Sequence, residues 1–187
     1  MQIIYLSELE QRKYELIGKI LEGCLFIYPT DTIYGLGCDA TNPFAVDKLR
    51  NIKKKSIVPL SIIPPSIDWI YENCEVNEKI EKELAKLPGP YTFILKLKNS
   101  YCIAPNVSYS DTIGIRIPDH EIMRFLSELN KPIITTCVNS SNDTYMKDLD
   151  DLSNEIEKEI EFIIYAGPLN GKPSKVINLI TGEVLRD

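Results

Sequence analysis

The sequence predicts an α/β protein, a single domain in which helices flank a mixed sheet. Five-residue apolar runs such as Cys24-Leu-Phe-Ile-Tyr28 and Ile133-Ile-Thr-Thr-Cys137 alternate with segments whose apolar residues recur at helical spacing. A chain of 187 residues, 44% of them hydrophobic, has the length of one domain and the side chains to fill its core. No repeat, linker or low-complexity tract divides it, so residues 1–187 are expected as one domain with no additional C-terminal domain.

Ile3 to Leu6 reads as a short strand, and Ser7-Glu-Leu-Glu10 as a capping box opening a helix that Gly23 terminates. Cys24 to Tyr28 is a buried strand, followed by a polar loop over residues 29–41. Asn42-Pro43 supplies an N-cap and a first-turn proline for a helix to about Asn51. Leu60 to Ile63 is a strand closed by Pro64-Pro65; helices follow over Ser66–Tyr71 and Asn77–Leu87, the second bounded by Pro88-Gly89-Pro90. Alternation predicts strands over Tyr91–Lys98 and Thr112–Ile117, Asp119 caps a helix to Leu129, and Ile133 to Cys137 is a further strand. Leu152, Ile156 and Ile160 at helical spacing predict an amphipathic helix, and Phe162–Tyr165, Val176–Leu179 and Glu183–Leu185 close the chain as short strands.

The balance of 21 basic against 27 acidic residues, net −6, argues against a broad surface that holds nucleic acid by its phosphates. The excess is local: residues 148–161 hold seven acids and one base, and without them each sign counts 20. Lys48, Arg50, Lys53, Lys54 and Lys55 form the opposite extreme, a stretch without a carboxylate in which an anion fits. Five cysteines at least 14 residues apart, without C-x-x-C, indicate neither a disulfide framework nor a zinc knuckle. A single histidine, His120, begins a helix and removes His-rich metal sites, so no metal site is expected. No apolar run approaches the roughly 20 residues that cross a bilayer, and the N-terminus lacks signal-peptide character, so a cytoplasmic protein without membrane contact is expected.

Tyr28-Pro-Thr-Asp-Thr-Ile-Tyr-Gly-Leu-Gly-Cys-Asp-Ala40 lies between a strand and a helix, where α/β proteins bind ligands, although a plain turn has the same composition. Gly35-x-Gly37-x-x-Ala40 matches a dinucleotide fingerprint only loosely, six residues separating it from the strand, and no Walker motif occurs. Lys53-Lys54-Lys55 at a helix end is either a phosphate site opposite this loop or a solvated run. Arg116, inside an apolar strand, requires a structural acid or a carboxylate-bearing substrate. Cys137 ends a strand among small polar side chains, and without a base other than His120 it reads as a packed thiol.

Together these segments resemble the YrdC/TsaC family of the YrdC/YciO superfamily, the threonylcarbamoyl-AMP synthases of tRNA modification. The resemblance rests on Y-P-T-D-T-I-Y-G-L-G-C-D-A (28–40), I-K-K-K (52–55), L-P-G-P-Y-T (87–92), G-I-R-I-P (114–118), T-T-C-V-N (135–139), P-S-K-V (173–176) and V-L-R (184–186). It implies a twisted open sheet with a concave, positively lined cavity, and a reaction joining L-threonine, bicarbonate and ATP, with Mg2+, into threonylcarbamoyl-AMP and pyrophosphate. By position, Lys53 and Lys55 match the family's K-x-R and are the candidate catalytic pair. Thr112, Cys137, Asn139 and Arg186 join them at ATP, and Thr32, Arg116 and Ser174 match positions that cradle threonine. A separate threonylcarbamoyl transferase complex would act downstream, with possible direct RNA contact.

The chain departs from the pattern where Lys55 stands for arginine, Cys137 for serine, Asn142 for glycine and Lys175 for threonine. Lysine keeps the charge and loses the bidentate fork, and a thiol donates weakly where a hydroxyl donates well. Two readings follow: a working synthase retuned at the ATP phosphates, or a catalytically weak relative that binds nucleotide or RNA.

Overall fold

In the computed structural model, which describes residues 1–54, 59–139 and 145–187, strand and helix alternate along most of the chain. The strands are β1 (Gln2–Tyr5), β2 (Phe26–Tyr28), β3 (Gly35–Gly37), β4 (Ser61–Ile63), β5 (Tyr91–Lys96), β6 (Thr112–Ile115), β7 (Ile133–Cys137), β8 (Phe162–Tyr165), β9 (Lys175–Asn178) and β10 (Val184–Arg186). The helices are α1 (Leu9–Leu21), α2 (Pro43–Lys53), α3 (Ile67–Asn73), α4 (Glu78–Leu84), α5 (Ile122–Glu128) and α6 (Asn154–Glu157). Among the described residues the strands form one mixed sheet in the order β1-β8-β2-β3-β7-β4-β6-β5-β9-β10. The pairs β1/β8, β8/β2, β4/β6 and β5/β9 are parallel, and the others are antiparallel.

Both faces of the central strands are apolar because both are covered. In β2, Phe26 and Tyr28 face the layer holding α1 and α5, whereas Ile27 faces the larger layer that includes α2, α3 and α4. Ile133 and Ile134 of β7 divide in the same way. Phe26 and Phe162 stack at 5.3 Å between ring centroids, and burial of such a side chain contributes about 1.5–3 kcal/mol.

Helix ends follow the chain's polar punctuation with two exceptions. Asn42 Oδ1 accepts from the backbone N–H of Phe44 and Ala45 at 3.0 and 3.2 Å, Ser66 Oγ from Trp69 and Asn77 Oδ1 from Lys79 and Ile80. Gly23, at φ +92°, ends α1 as its N–H reaches Ile20 O and that of Cys24 reaches Lys19 O, the paired bonds of a Schellman stop. The predicted Ser7 box does not form, because a 3-10 turn over Leu6–Glu8 precedes α1 and Glu8 Oε2 accepts the Tyr5 N–H at 2.9 Å instead. Nor does Asp119 cap α5: His120 Nδ1 accepts the Ile122 N–H at 3.1 Å.

The acidic amphipathic helix is also corrected. Residues 148–161 form a 3-10 turn (Leu149–Asp151) and the four-residue α6, separated at Leu152, whose ψ of 118° is extended. Asp148 caps the first piece and Ser153 the second, so two local caps outcompete one continuous helix. Among the described residues no helix is long and apolar enough to cross a membrane.

Candidate functional site

Within the loop expected over residues 29–41, Gly35–Gly37 fold back as strand β3 between β2 and β7. A Cβ at Gly37 would lie 2.8 Å from both the Tyr28 ring and Ile134 O, so the residue serves close sheet packing. The dinucleotide reading fails here, since its glycines sit within a strand rather than in the turn before a helix.

Beside β3 lies a cavity of about 160 Å³ whose wall includes Lys53, Arg116, Cys137, Ser174 and Arg186, all selected from the sequence. Tyr34, Ser61, Thr92, Thr135 and Thr136 add polar atoms, and the described wall has three cations and no carboxylate. The positive lining expected above is therefore present. Strand ends place it: Cys137 closes β7, Ser61 opens β4, Arg116 follows β6 and Ser174 precedes β9.

Lys53, 3% exposed, comes from the last turn of α2. Its Nζ donates to Cys137 O at 2.9 Å, Asn139 O at 2.8 Å and Asn139 Oδ1, fastening the helix end to the end of β7. The lysine triplet does not act as a unit. Lys54 takes a left-handed conformation (φ 49°) and pairs with Glu155 at 3.1 Å, and Lys55 lies outside the described residues, as does Asn142. The wider basic cluster disperses too: Lys48 is exposed, while Arg50 is buried, donating from Nε to Asn106 O at 2.6 Å and from Nη2 to Val107 O at 3.0 Å.

Arg116 supplies the second cation. Its Nη2 donates to Thr30 Oγ1 at 3.1 Å, Asp31 Oδ1 at 2.9 Å and Thr32 Oγ1, so both alternatives for this arginine bear on one group: a structural acid, Asp31, and a place on the cavity wall. The Nε of Arg116 and Oδ2 of Asp31 are buried and have no hydrogen-bond partner among the described residues. Thr32 stands behind Arg116 rather than on the wall. Thr30 and Asp31 are the hydroxyl and carboxylate that the loop offers beside Thr32, whereas nothing in the sequence singles out Thr92.

Ser174, 1% exposed, shares a 2.8 Å hydrogen bond with Thr92 Oγ1, and Arg186 donates to its carbonyl from Nε at 2.8 Å and to its Oγ from Nη2 at 3.1 Å. Lys175 turns away to Asp187. Thr112 is not brought to this wall: its hydroxyl pairs with Ser110 Oγ at 2.9 Å, and its place in β6 is opposite Lys96.

His120 is half-buried, and burial pulls its pKa below the ordinary histidine value against the nearby Glu121, Asp31 and Asp119. Burial pushes the Cys24 and Cys74 thiols up to about 12 and Cys102 to about 11, so these sulfurs are protonated packing groups at neutral pH.

A family model described as telomere recombination, for Sua5, YciO and YrdC, matches residues 19–187. A protein of Methanocaldococcus jannaschii named putative threonylcarbamoyl-AMP synthase is 36% identical over 99% of this chain and 89% of its own length. The crystal structure of P. abyssi Sua5 complexed with L-threonine superposes with a TM-score of 0.85 at 29% identity, covering 96% of this chain, which spans 54% of that longer one. E. coli YciO gives a TM-score of 0.87 over 100% of this chain and 95% of its own, and at 24% identity that likeness speaks for the fold. With the motif order, the sheet and the relatives in agreement, the chain belongs to the Sua5/YciO/YrdC family.

Proposed function

We propose that this protein is an L-threonylcarbamoyladenylate synthase, acting in the cytoplasm as one domain. The observation that carries the reading is the meeting of Arg116, Ser174, Arg186 and Lys53 at one wall that holds no carboxylate among its described residues. The amine of L-threonine, once neutral, adds to bicarbonate and water leaves, giving a carbamate. A carbamate oxygen then attacks the α-phosphorus of ATP, the bond to the β-phosphate oxygen breaks, and threonylcarbamoyl-AMP and pyrophosphate result. The nucleophile is already an anion, so the protein's task is to align it and to neutralise phosphate charge.

The Arg116 guanidinium is assigned to the threonine carboxylate, with Thr32, which accepts from its Nη2, and Ser174, on the same wall, as hydroxyl partners. Lys53, Lys55, Asn139, Cys137, Arg186 and Thr112 are assigned to the ATP side, with Lys53 and Lys55 as the catalytic cations. Among the described residues no three His, Cys, Asp or Glu side chains gather as a metal site. In this proposal magnesium enters as part of the substrate, MgATP. The product would pass to a separate transferase that modifies tRNA, and direct RNA contact belongs to the same proposal.

The alternative, a weak relative that binds nucleotide or RNA, draws on the engagement of Lys53 with Cys137 and Asn139, which occupies the ammonium a phosphate would use. Pyrophosphate release by purified protein with MgATP and bicarbonate separates the two. The synthase reading expects release to rise on adding L-threonine; ATP binding without that rise overturns it in favour of the alternative.

A further inference from the structure

Between β8 and β9 the chain crosses the threonine-rich segment as a strap, residues 166–174. Its start is held by Tyr34, whose hydroxyl donates to Gly167 O at 2.7 Å and accepts from the Ala166 N–H at 3.0 Å. Leu169 N–H reaches Lys147 O at 2.8 Å, and the far end is held where Ser174 meets Thr92 and Arg186. At the middle of this crossing, the strap's backbone rests on the Thr32 peptide. A Cβ built on Gly171 would lie 2.1 Å from Thr32 O and 2.7 Å from both its carbonyl carbon and its Cα. The obstacle is backbone, fixed by Thr32 N–H donating to Thr30 Oγ1 at 3.1 Å and by Arg116 donating to Thr32 Oγ1, so it does not swing aside as a side-chain end would.

Resting on the reading that this cavity takes L-threonine, we infer that Gly171 is a positioning residue for threonine. Its missing side chain lets the strap lie on the Thr32 peptide, and that contact sets the distance between Ser174 on one side and Thr32 with Arg116 on the other. The smallest added side chain has to move out from 2.1 Å to the 3.0–3.4 Å of tight real contacts, a shift of about 1 Å. A displacement of that size at a positioning group costs up to about a hundredfold in alignment-dependent steps. Lys53, on the ATP side, is tied to β7 rather than to the strap, and of the ATP-side residues Arg186 meets the strap at Ser174, so nucleotide binding falls less than threonine binding.

Calorimetric titration of wild-type protein, Gly171→Ala and Gly182→Ala with L-threonine and separately with ATP tests the inference. Gly182, at φ +81° with open space around it, adds backbone strain without a clash and controls for general loosening. Gly171→Ala is expected to raise the threonine Kd about ten- to a hundredfold and the ATP Kd by no more than about fivefold, with Gly182→Ala matching wild type on both. Equal threonine binding by wild type and Gly171→Ala overturns the positioning role, as does a parallel loss for both ligands. Absence of threonine binding by wild type instead removes the reading beneath the proposal. Should Gly171→Ala fail to fold, hydrogen exchange on wild type decides: threonine is expected to slow the amides of Asn170 to Lys172 together with that of Thr32, and slowing at Thr32 alone overturns the inference.

Discussion

Lys53 and Arg116 are both buried cations, and each is held by groups that would be left costly if it were removed. Lys53→Ala strips a charge-assisted donor from Cys137 O and Asn139, for which a loss of about 1–3 kcal/mol is expected. The same variant should weaken ATP binding more than threonine binding, checked by urea denaturation alongside titration of each substrate. Arg116→Ala leaves the Asp31 carboxylate buried without its cation, a change costing about 3–5 kcal/mol. Arg116→Lys is the cleaner probe. It keeps the charge and loses the planar fork, so the threonine requirement should rise while ATP binding holds, and an equal rise for both substrates would contradict the division of roles.

At the level of elements, α2 delivers Lys53, and its first turn is fixed by Asn42. Asn42→Ala removes one acceptor shared by two backbone donors and should cost about 1 kcal/mol, read as a lower urea midpoint at constant m-value. Local polar signals of this kind were legible in the chain: Asn42, Ser66 and Asn77 cap the helices they announce, and the apolar runs of β7 and β8 keep their expected ends. The two misread elements have different physical causes. Gly35-Leu-Gly37 has no strand-like pattern of its own and pairs only because β2 and β7 flank it. The acidic segment has helical periodicity, yet Asp148 and Ser153 offer nearer partners for the backbone and divide it.

At the scale of the whole molecule, the one histidine links stability to pH just below neutrality. The groups affecting it are Glu121, Asp31 and Asp119, which favour its charged form, but burial dominates and holds its folded pKa below the ordinary value near 6.5. A proton therefore binds the unfolded chain more readily. Stability from this group is complete above about pH 6.5 and is lost as pH falls through the folded pKa, where protonation also removes the Nδ1 acceptor of the Ile122 N–H. Thermal unfolding from pH 7.5 to 5 should show Tm falling in wild type and falling less in His120→Asn. An equal slope in both would assign the dependence elsewhere.

The sequence by itself determined the α/β class, the family and the residue types at the cavity, because apolar periodicity and short motifs are properties of neighbouring residues. It also carried Lys53, Arg116, Ser174 and Arg186 by position. Which cations meet was decided by the tertiary structure, since adjacency along a chain does not fix direction in space. Lys53 and Lys54 are consecutive, yet one turns to β7 and the other to Glu155. Asp31 became the partner of Arg116, and Gly171 the seat of the strap, only when segments 85 and 139 residues apart in the chain were packed together.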